Sequence, residues 1–251
     1  MNNKLLELYQ ITSKHSNYQI LPSALKRLLN SKEVQTFSRY EKERLDLLKT
    51  HLSFENKKIL DIGGNTGYFS FEISDLGAKE IIYIEGNKNH TDFVREAAKV
   101  TGKNIKCFNE YLNFSEPPKD APFDIILLFN VIHHLGDDFG DKNITKEQAK
   151  SEMKSAINYF ADLTDFLVLQ MGFCWKGNTN QLLFENGTKT EMINFIKDAT
   201  KENWEILTIG IAEVNNHTQK TFYKNLNSEN IKRIDALGEF RNRPIFILKK
   251  R

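Results

Sequence analysis

Short apolar runs alternate with helical periods through the middle of this chain, and that order constrains the fold more than any other feature. Lys58–Ile62 is apolar and leads into Asp-Ile-Gly-Gly-Asn-Thr-Gly, residues 61–67, after which residues 68–76 take up a helical period that stops at Gly77. A short, mostly apolar run bounded by glycine suits a strand, and a repeat near 3.6 suits a helix. The alternation then repeats, with Glu80–Ile84 as a second strand, residues 89–101 as a helix stopped at Gly102, and residues 105–109 as a third strand. Residues 124–129 are strongly apolar and β-prone, as a central strand buried on both faces should be. Residues 145–163 read as a long helix, 166–171 as a fifth strand, and 189–199 as a helix with Met192, Ile193 and Ile196 turned inward. Strands separated by helices pair in parallel, because only a long crossover returns the chain to start another strand in the same direction. The expected fold is α/β, a doubly wound, mostly parallel seven-stranded sheet.

The flanks read differently. Leu25, Leu28 and Leu29, then Leu45, Leu47 and Leu48, recur at helical spacing between polar loops at residues 13–18 and at Ser31. This predicts an N-terminal helical extension over residues 1–56, folded over a main domain of residues 57–251 and excluding water from its pocket. In the tail, Trp204–Val214 and residues 244–249 are strand-like, with only a polar, weakly helical segment at 228–237 between them. An antiparallel terminal pair is expected there. No internal repeat or low-complexity linker is visible.

Composition narrows the function classes. With 251 residues, 40% apolar and 27% charged, the chain has the balance of a folded globular protein. Its 35 basic residues face 33 acidic ones, a net charge of +2, and no basic stripe marks a phosphate-binding surface. Nucleic acid is therefore a disfavoured partner. Cys107 and Cys174 lack the spacing of a zinc site or a disulfide framework, which suits a reducing cytoplasm. The first nine residues carry no basic region before an apolar run, and no stretch is long and apolar enough to span a membrane.

A glycine-rich turn between strand and helix lets the backbone approach a ligand closely while the helix presents free N–H groups. Here the turn runs from Asp61 through Gly63, Gly64, Asn65 and Gly67, and an acidic residue, Glu85, ends the second strand where it would meet two ribose hydroxyls. On these residues, and on Phe123-Asp124-Ile125-Ile126 through Asn130-Val131-Ile132-His133-His134-Leu135, the chain resembles the class I S-adenosylmethionine-dependent methyltransferases over about residues 58–171. The motif's middle glycine is replaced by Asn65, which tolerates left-handed backbone conformations. A nicotinamide dehydrogenase would instead prefer Gly-x-Gly-x-x-Gly with no preceding acid.

The resemblance implies a Rossmann-like fold, S-adenosylmethionine as cofactor and S-adenosylhomocysteine as product. It implies that Asn109 and Glu110 contact the adenine, that Asn130 and Val131 lie along the cofactor, and that the histidines stand near the reacting end.

Methyl transfer is an in-line displacement, so the protein has mainly to align a nucleophile and manage its proton. His134 is the expected general base for a hydroxyl acceptor, with His133 as the other candidate and a packing role open to either. Trp175 and Lys176, after the fifth strand, would stack on a ring and pair with an anionic group, or else anchor their own loop. Arg39 would hold a carboxylate, or form a surface ion pair with Glu41 or Glu43. No metal is expected, and the acidic run at residues 137–141 is read first as capping the helix that begins near Thr145 and otherwise as a mobile edge of the pocket. The function expected is O-methylation of a small polar acceptor such as a carbohydrate. The alternatives are a tRNA-modifying methyltransferase and a non-catalytic cofactor-binding module.

Overall fold

The computed structural model describes residues 3–11, 15–29, 34–112, 114 and 116–251. The loop expected at Ser31 and residues 13 and 14 of the loop expected at 13–18 lie outside the described residues. The chain divides into two compact units, Met1–Asn113 and Phe114–Arg251.

The first unit carries helices α1 (Asn3–Gln10), α2 (Ser23–Lys26) and α3 (Glu41–His51), followed by β1 (Lys58–Ile62), α4 (Tyr68–Asp75), β2 (Glu80–Ile84), α5 (Lys88–Thr101) and β3 (Ile105–Phe108). β1 pairs in parallel with β2, and β2 with β3, with Asp61 opposite Tyr83 and Ile84 opposite Phe108. Burial explains the apolar runs, since Ile59, Leu60, Ile81 and Ile82 are withdrawn from solvent. Local chemistry sets the helix ends. Gly67 opens α4 in the left-handed region with φ 83°, and a Cβ there would lie 3.0 Å from Val94 Cγ2. The Asn87 side chain caps α5 by accepting from the Asn89 N–H, and Gly102 ends it in the left-handed conformation. The N-terminal helices pack on these two. Tyr9 meets Phe93 edge to face at 5.3 Å, Lys4 pairs with Glu96 at 2.9 Å, and the Arg44 guanidinium lies 5.0 Å above the Phe69 ring.

The second unit holds β4 (Phe123–Phe129), α6 (Lys146–Tyr159), β5 (Thr164–Gln170), α7 (Lys189–Thr200), β6 (Trp204–Val214), β7 (Thr221–Asn225), α8 (Gly238–Asn242) and β8 (Ile245–Lys250). β4 and β5 are parallel, β8 runs antiparallel to both β5 and β6, and β7 is antiparallel to β6. The described strands number eight, one more than expected, because the tail contains β7 as well as the anticipated pair. β7 is half-buried to exposed along its length, so it has no apolar alternation by which a sequence would mark it.

The weakly helical segment at 228–237 takes the form of turns and a single 3-10 helix at Asp235–Leu237. Asn227 and Asn230 exchange side-chain bonds with each other's backbone N–H groups, and the buried Lys189 ammonium donates to the carbonyls of Asn230 (2.9 Å) and Lys232 (3.0 Å). One further expectation is corrected, because the acidic run at 137–141 does not cap α6. Thr145 does so itself, in a reciprocal capping box with Gln148, while Asp141 accepts from the Asn143 N–H at 2.9 Å. Among the described residues no helix is long and apolar enough to cross a membrane.

Candidate active site

At the carboxyl end of β1 the chain turns through Gly63 (φ 65°), Asn65 (φ 52°) and Gly67 (φ 83°). Asn65 thus adopts the left-handed conformation that the motif's missing glycine would have taken. Gly64 lies against β2 so closely that a Cβ would fall 2.6 Å from the Tyr83 ring and 2.9 Å from Asp61 Oδ2. The Tyr83 hydroxyl donates to the Asn65 carbonyl. Asp61 is buried beneath the turn and accepts from the Ser70 hydroxyl at 2.6 Å. Burial pushes its pKa up to about 6, although the Ser70 hydrogen bonds and the Arg44 charge pull it down.

Glu85 closes the turn from the end of β2. One carboxylate oxygen accepts from the Asn65 N–H at 3.0 Å and the other from the Asn87 N–H at 2.8 Å. The Asn109 amide donates to the carbonyls of Glu85 (2.9 Å) and Gly86 (3.0 Å), while Glu110 beside it is exposed. Asp61, Gly63, Gly64, Asn65, Gly67, Glu85 and Asn109 therefore gather in one neighbourhood within the first unit, joined by packing and by hydrogen bonds. It fits S-adenosylmethionine in two ways. The Gly64 cradle admits no side chain, and the Glu85 carboxylate has the acceptor chemistry that two hydroxyls require.

Sequence reasoning missed three members of this neighbourhood. The His15 carbonyl accepts from the Asn65 amide at 3.1 Å, and Gln19 Oε1 accepts from the Thr66 hydroxyl (3.3 Å) and the Tyr68 N–H (3.2 Å). Tyr111 rests against Gly86, where a Cβ would lie 2.3 Å from its ring. None carried a local signal, because each contact joins residues far apart in the chain. Arg39 lies in the same unit. Its backbone N–H donates to both Glu41 oxygens and its guanidinium stacks 4.6 Å from the Tyr18 ring centre, while the Glu41 carboxylate pairs with Arg44 at 3.7 Å.

In the second unit β4 ends at Asn130, again left-handed with φ 59°, and Val131 leads into a single 3-10 turn, Ile132–His134. His133 is buried, and its ring lies 4.3 Å from that of His134. The Nδ1 of His134 is 3.3 Å from an Asp138 carboxylate oxygen and 3.9 Å from one of Asp137. The N–H groups of Asp137 and Asp138 both donate to the His134 carbonyl, at 2.9 and 3.1 Å, which folds the acidic run back onto the histidine. His134, Asp137 and Asp138 place one ligand atom each within 4.8 Å of one another. The grouping is half-exposed, and its geometry serves equally as an acid–base pair.

The loop after β5 interlocks with this one. The Trp175 indole donates to the Leu135 carbonyl at 2.9 Å, and the Lys176 ammonium donates to the Lys142 carbonyl at 3.1 Å while lying 4.5 Å from the Trp175 ring centre. A Cβ on Gly177 would meet His134 at 2.9 Å. A further residue absent from the sequence reading is Arg243, whose guanidinium donates to the Asn130 side chain at 2.8 Å across 113 positions.

A methyltransferase domain matches residues 33–169, more than half of the chain. The tRNA U34 carboxymethyltransferase of Campylobacter curvus is 26% identical over 156 residues, which is 61% of this chain and 46% of that protein. The chain thus spans less than half the length of this curated relative. Among solved structures, the bifunctional kinase-methyltransferase WbdD aligns with a TM-score of 0.55 at 13% identity, covering 98% of this chain and 45% of the other. TehB from Haemophilus influenzae aligns at 0.51 and 15% identity, covering 90% and 66%. At these identities the structural likeness speaks for the fold alone, while the domain match speaks for the family. The chain belongs to the methyltransferase domain family and carries a domain of the S-adenosylmethionine-dependent class.

Proposed function

We propose that this enzyme methylates a hydroxyl of a small polar acceptor, a carbohydrate or related metabolite, with His134 as general base. The observation that carries the reading is the Asp138 carboxylate 3.3 Å from His134 Nδ1. A carboxylate on that side selects the tautomer with the proton on Nδ1 and the lone pair on Nε2, the form able to accept a hydroxyl proton. His133, buried beside it, supports the ring.

On this reading Glu85 receives the ribose hydroxyls, Asn109 and Glu110 border the adenine, and Asn130 and Val131 run along the cofactor. The bound cofactor supplies an electrophilic methyl group. The polar ends of Trp175 and Lys176 are held by carbonyls, so these residues offer an acceptor a ring face and a positive field rather than further hydrogen bonds. Arg39, stacked on Tyr18, contributes a second positive group. Residues 1–56 act as a helical cap on the domain formed by residues 57–251, a role supported by the His15 and Gln19 bonds to the glycine turn. The two cysteines are free, and burial pushes the Cys107 thiol up to about 12, which suits a cytoplasmic enzyme with no redox use for them.

A second reading, methylation of tRNA, is favoured by the relative named for tRNA U34. Transfer of label from S-adenosylmethionine decides between them, with a panel of sugars and sugar phosphates in one arm and bulk tRNA in the other. Incorporation into tRNA alone would overturn the small-acceptor proposal.

A further inference from the structure

Arg243, the residue that leads into β8, is buried although charged, at 8% exposure, and its bonds converge on the start of the histidine loop. Its Nη1 donates to Asn130 Oδ1 at 2.8 Å and its Nη2 to Glu239 Oε1 at 2.7 Å, while the guanidinium carbon lies 4.3 Å from the Phe240 ring centre. Its carbonyl accepts from the side chain of Gln170, a fully buried residue, at 3.1 Å. Asn130 donates in turn to Gln170 Oε1 at 3.1 Å, and its backbone N–H donates to the Gln170 carbonyl at 2.7 Å. Both ends of the Asn130 amide are therefore oriented, one by Arg243 and one by β5.

Asn130 is also where the chain changes direction. Its φ of 59° sets the angle at which Val131 and the histidine turn leave β4. Gly172 completes the arrangement, because a Cβ there would fall 2.7 Å from His133 Nε2 and 3.1 Å from Arg243 Nη2. The bare backbone lets a histidine and an arginine approach one another across it.

We propose that Arg243 is a positioning residue for methyl transfer: by gripping Asn130, and being gripped by Glu239, it fixes the orientation of the His133–His134 turn. The inference rests on the reading that this turn carries the base. Only a planar, two-handed cation serves here, since a lysine ammonium has no fork to span Asn130 and Glu239 together. Without the grip, Asn130 Oδ1 loses a charge-assisted bond, and the turn is held at Asn130 by the two Gln170 bonds alone. A misplacement of about 1 Å in a catalytic group costs on the order of 100-fold in rate.

The test uses the full chain with histidine-selective isotope labelling, so that its spectroscopic readout does not depend on knowing the acceptor, while turnover is read with the acceptor that the label-transfer panel identifies. Arg243→Ala, Arg243→Lys and Glu239→Gln are compared with wild type by imidazole NMR and its pH titration, by S-adenosylhomocysteine affinity, and by thermal unfolding. His134→Asn assigns the resonance. The expected result is a folded Arg243→Ala protein that binds S-adenosylhomocysteine within about threefold of wild type, shows shifted His133 and His134 resonances, and turns over about 10- to 100-fold more slowly. Arg243→Lys should recover only part of this, and Glu239→Gln should show the mildest shift. Should Arg243→Ala fail to fold, the other two variants read the same resonances. Unchanged histidine spectra in a folded variant would overturn the proposal, as would a tenfold loss of S-adenosylhomocysteine affinity with the spectra unmoved, which would make Arg243 a direct cofactor contact. Failure of the general-base reading is separate, and would appear as undiminished turnover in His134→Asn.

Discussion

The turn after β1 and the loop after β4, to which the proposed reading gives the cofactor and the base, are held in different ways. The first is assembled largely from one stretch of chain: Gly64 against Tyr83, Glu85 on the N–H groups of Asn65 and Asn87, and Asp61 on Ser70. The second takes its shape from distant residues, with Arg243 on Asn130 and Trp175 on Leu135. On the proposed reading, a turn that meets an unvarying cofactor is specified by glycine conformations and one acid, whereas a loop that presents a base to an acceptor has its orientation imposed from outside.

The sharpest test of this contrast is His134→Ala. Loss of a general base costs about 10²- to 10³-fold in turnover, and S-adenosylhomocysteine affinity, measured by calorimetry, should stay within about twofold of wild type. A comparable loss of affinity would show that the histidine belongs to the cofactor cradle and would erase the division.

Next in size is the cost of burying Asp61. Its folded pKa of about 6 stands above the ordinary 3.8, so the native state holds the proton more tightly than the unfolded chain does. That contribution to stability is fully present below about pH 4 and is lost as pH rises through 6. At pH 8 the ionised carboxylate therefore opposes folding by about 3 kcal/mol. Asp61→Asn should be more stable than wild type by up to about that amount at pH 8, with the gap closing towards pH 4, as read by urea unfolding at both values. A gap independent of pH would mean that the carboxylate is not the source of the cost.

Glu85→Ala comes third. It removes the acceptor of the Asn65 N–H and, on the proposed reading, of the ribose hydroxyls. Bonds to a charged group contribute about 1.5–3 kcal/mol, so cofactor affinity should fall about 10- to 100-fold while turnover at saturating cofactor persists. If turnover fell instead with affinity intact, the two regions would be less separable than proposed.

The smallest effect is expected for Trp175→Phe, which keeps the ring and deletes the bond to Leu135. Thermal and urea unfolding should report a loss of about 1 kcal/mol. A turnover loss as large as that of His134→Ala would give the indole a direct part in acceptor binding.

Several of these features were legible before any coordinates. The run from Lys58 to Gly67, the strand-stop-helix order and the acid at Glu85 all emerge where they were read, because each depends on neighbours within a few residues. The failures are equally specific. β7 is too exposed to show an apolar face in the sequence, and the Asp137–Asp141 run does not cap α6 because Asp137 and Asp138 turn back towards His134 and Asp141 caps its own turn. Arg243 carried no local signal, because its partner Asn130 lies 113 positions away in the chain.

The sequence by itself determined the parallel βαβ order, the left-handed turn at Gly63, Asn65 and Gly67, and the family, since periodicity and backbone preference act over short range. Only the tertiary structure decided which polar groups meet: Glu85 with Asn65, Asp138 with His134, Arg243 with Asn130. A buried polar group must find a partner, but which partner depends on distance in space, and that is set only once both strands and tail have packed.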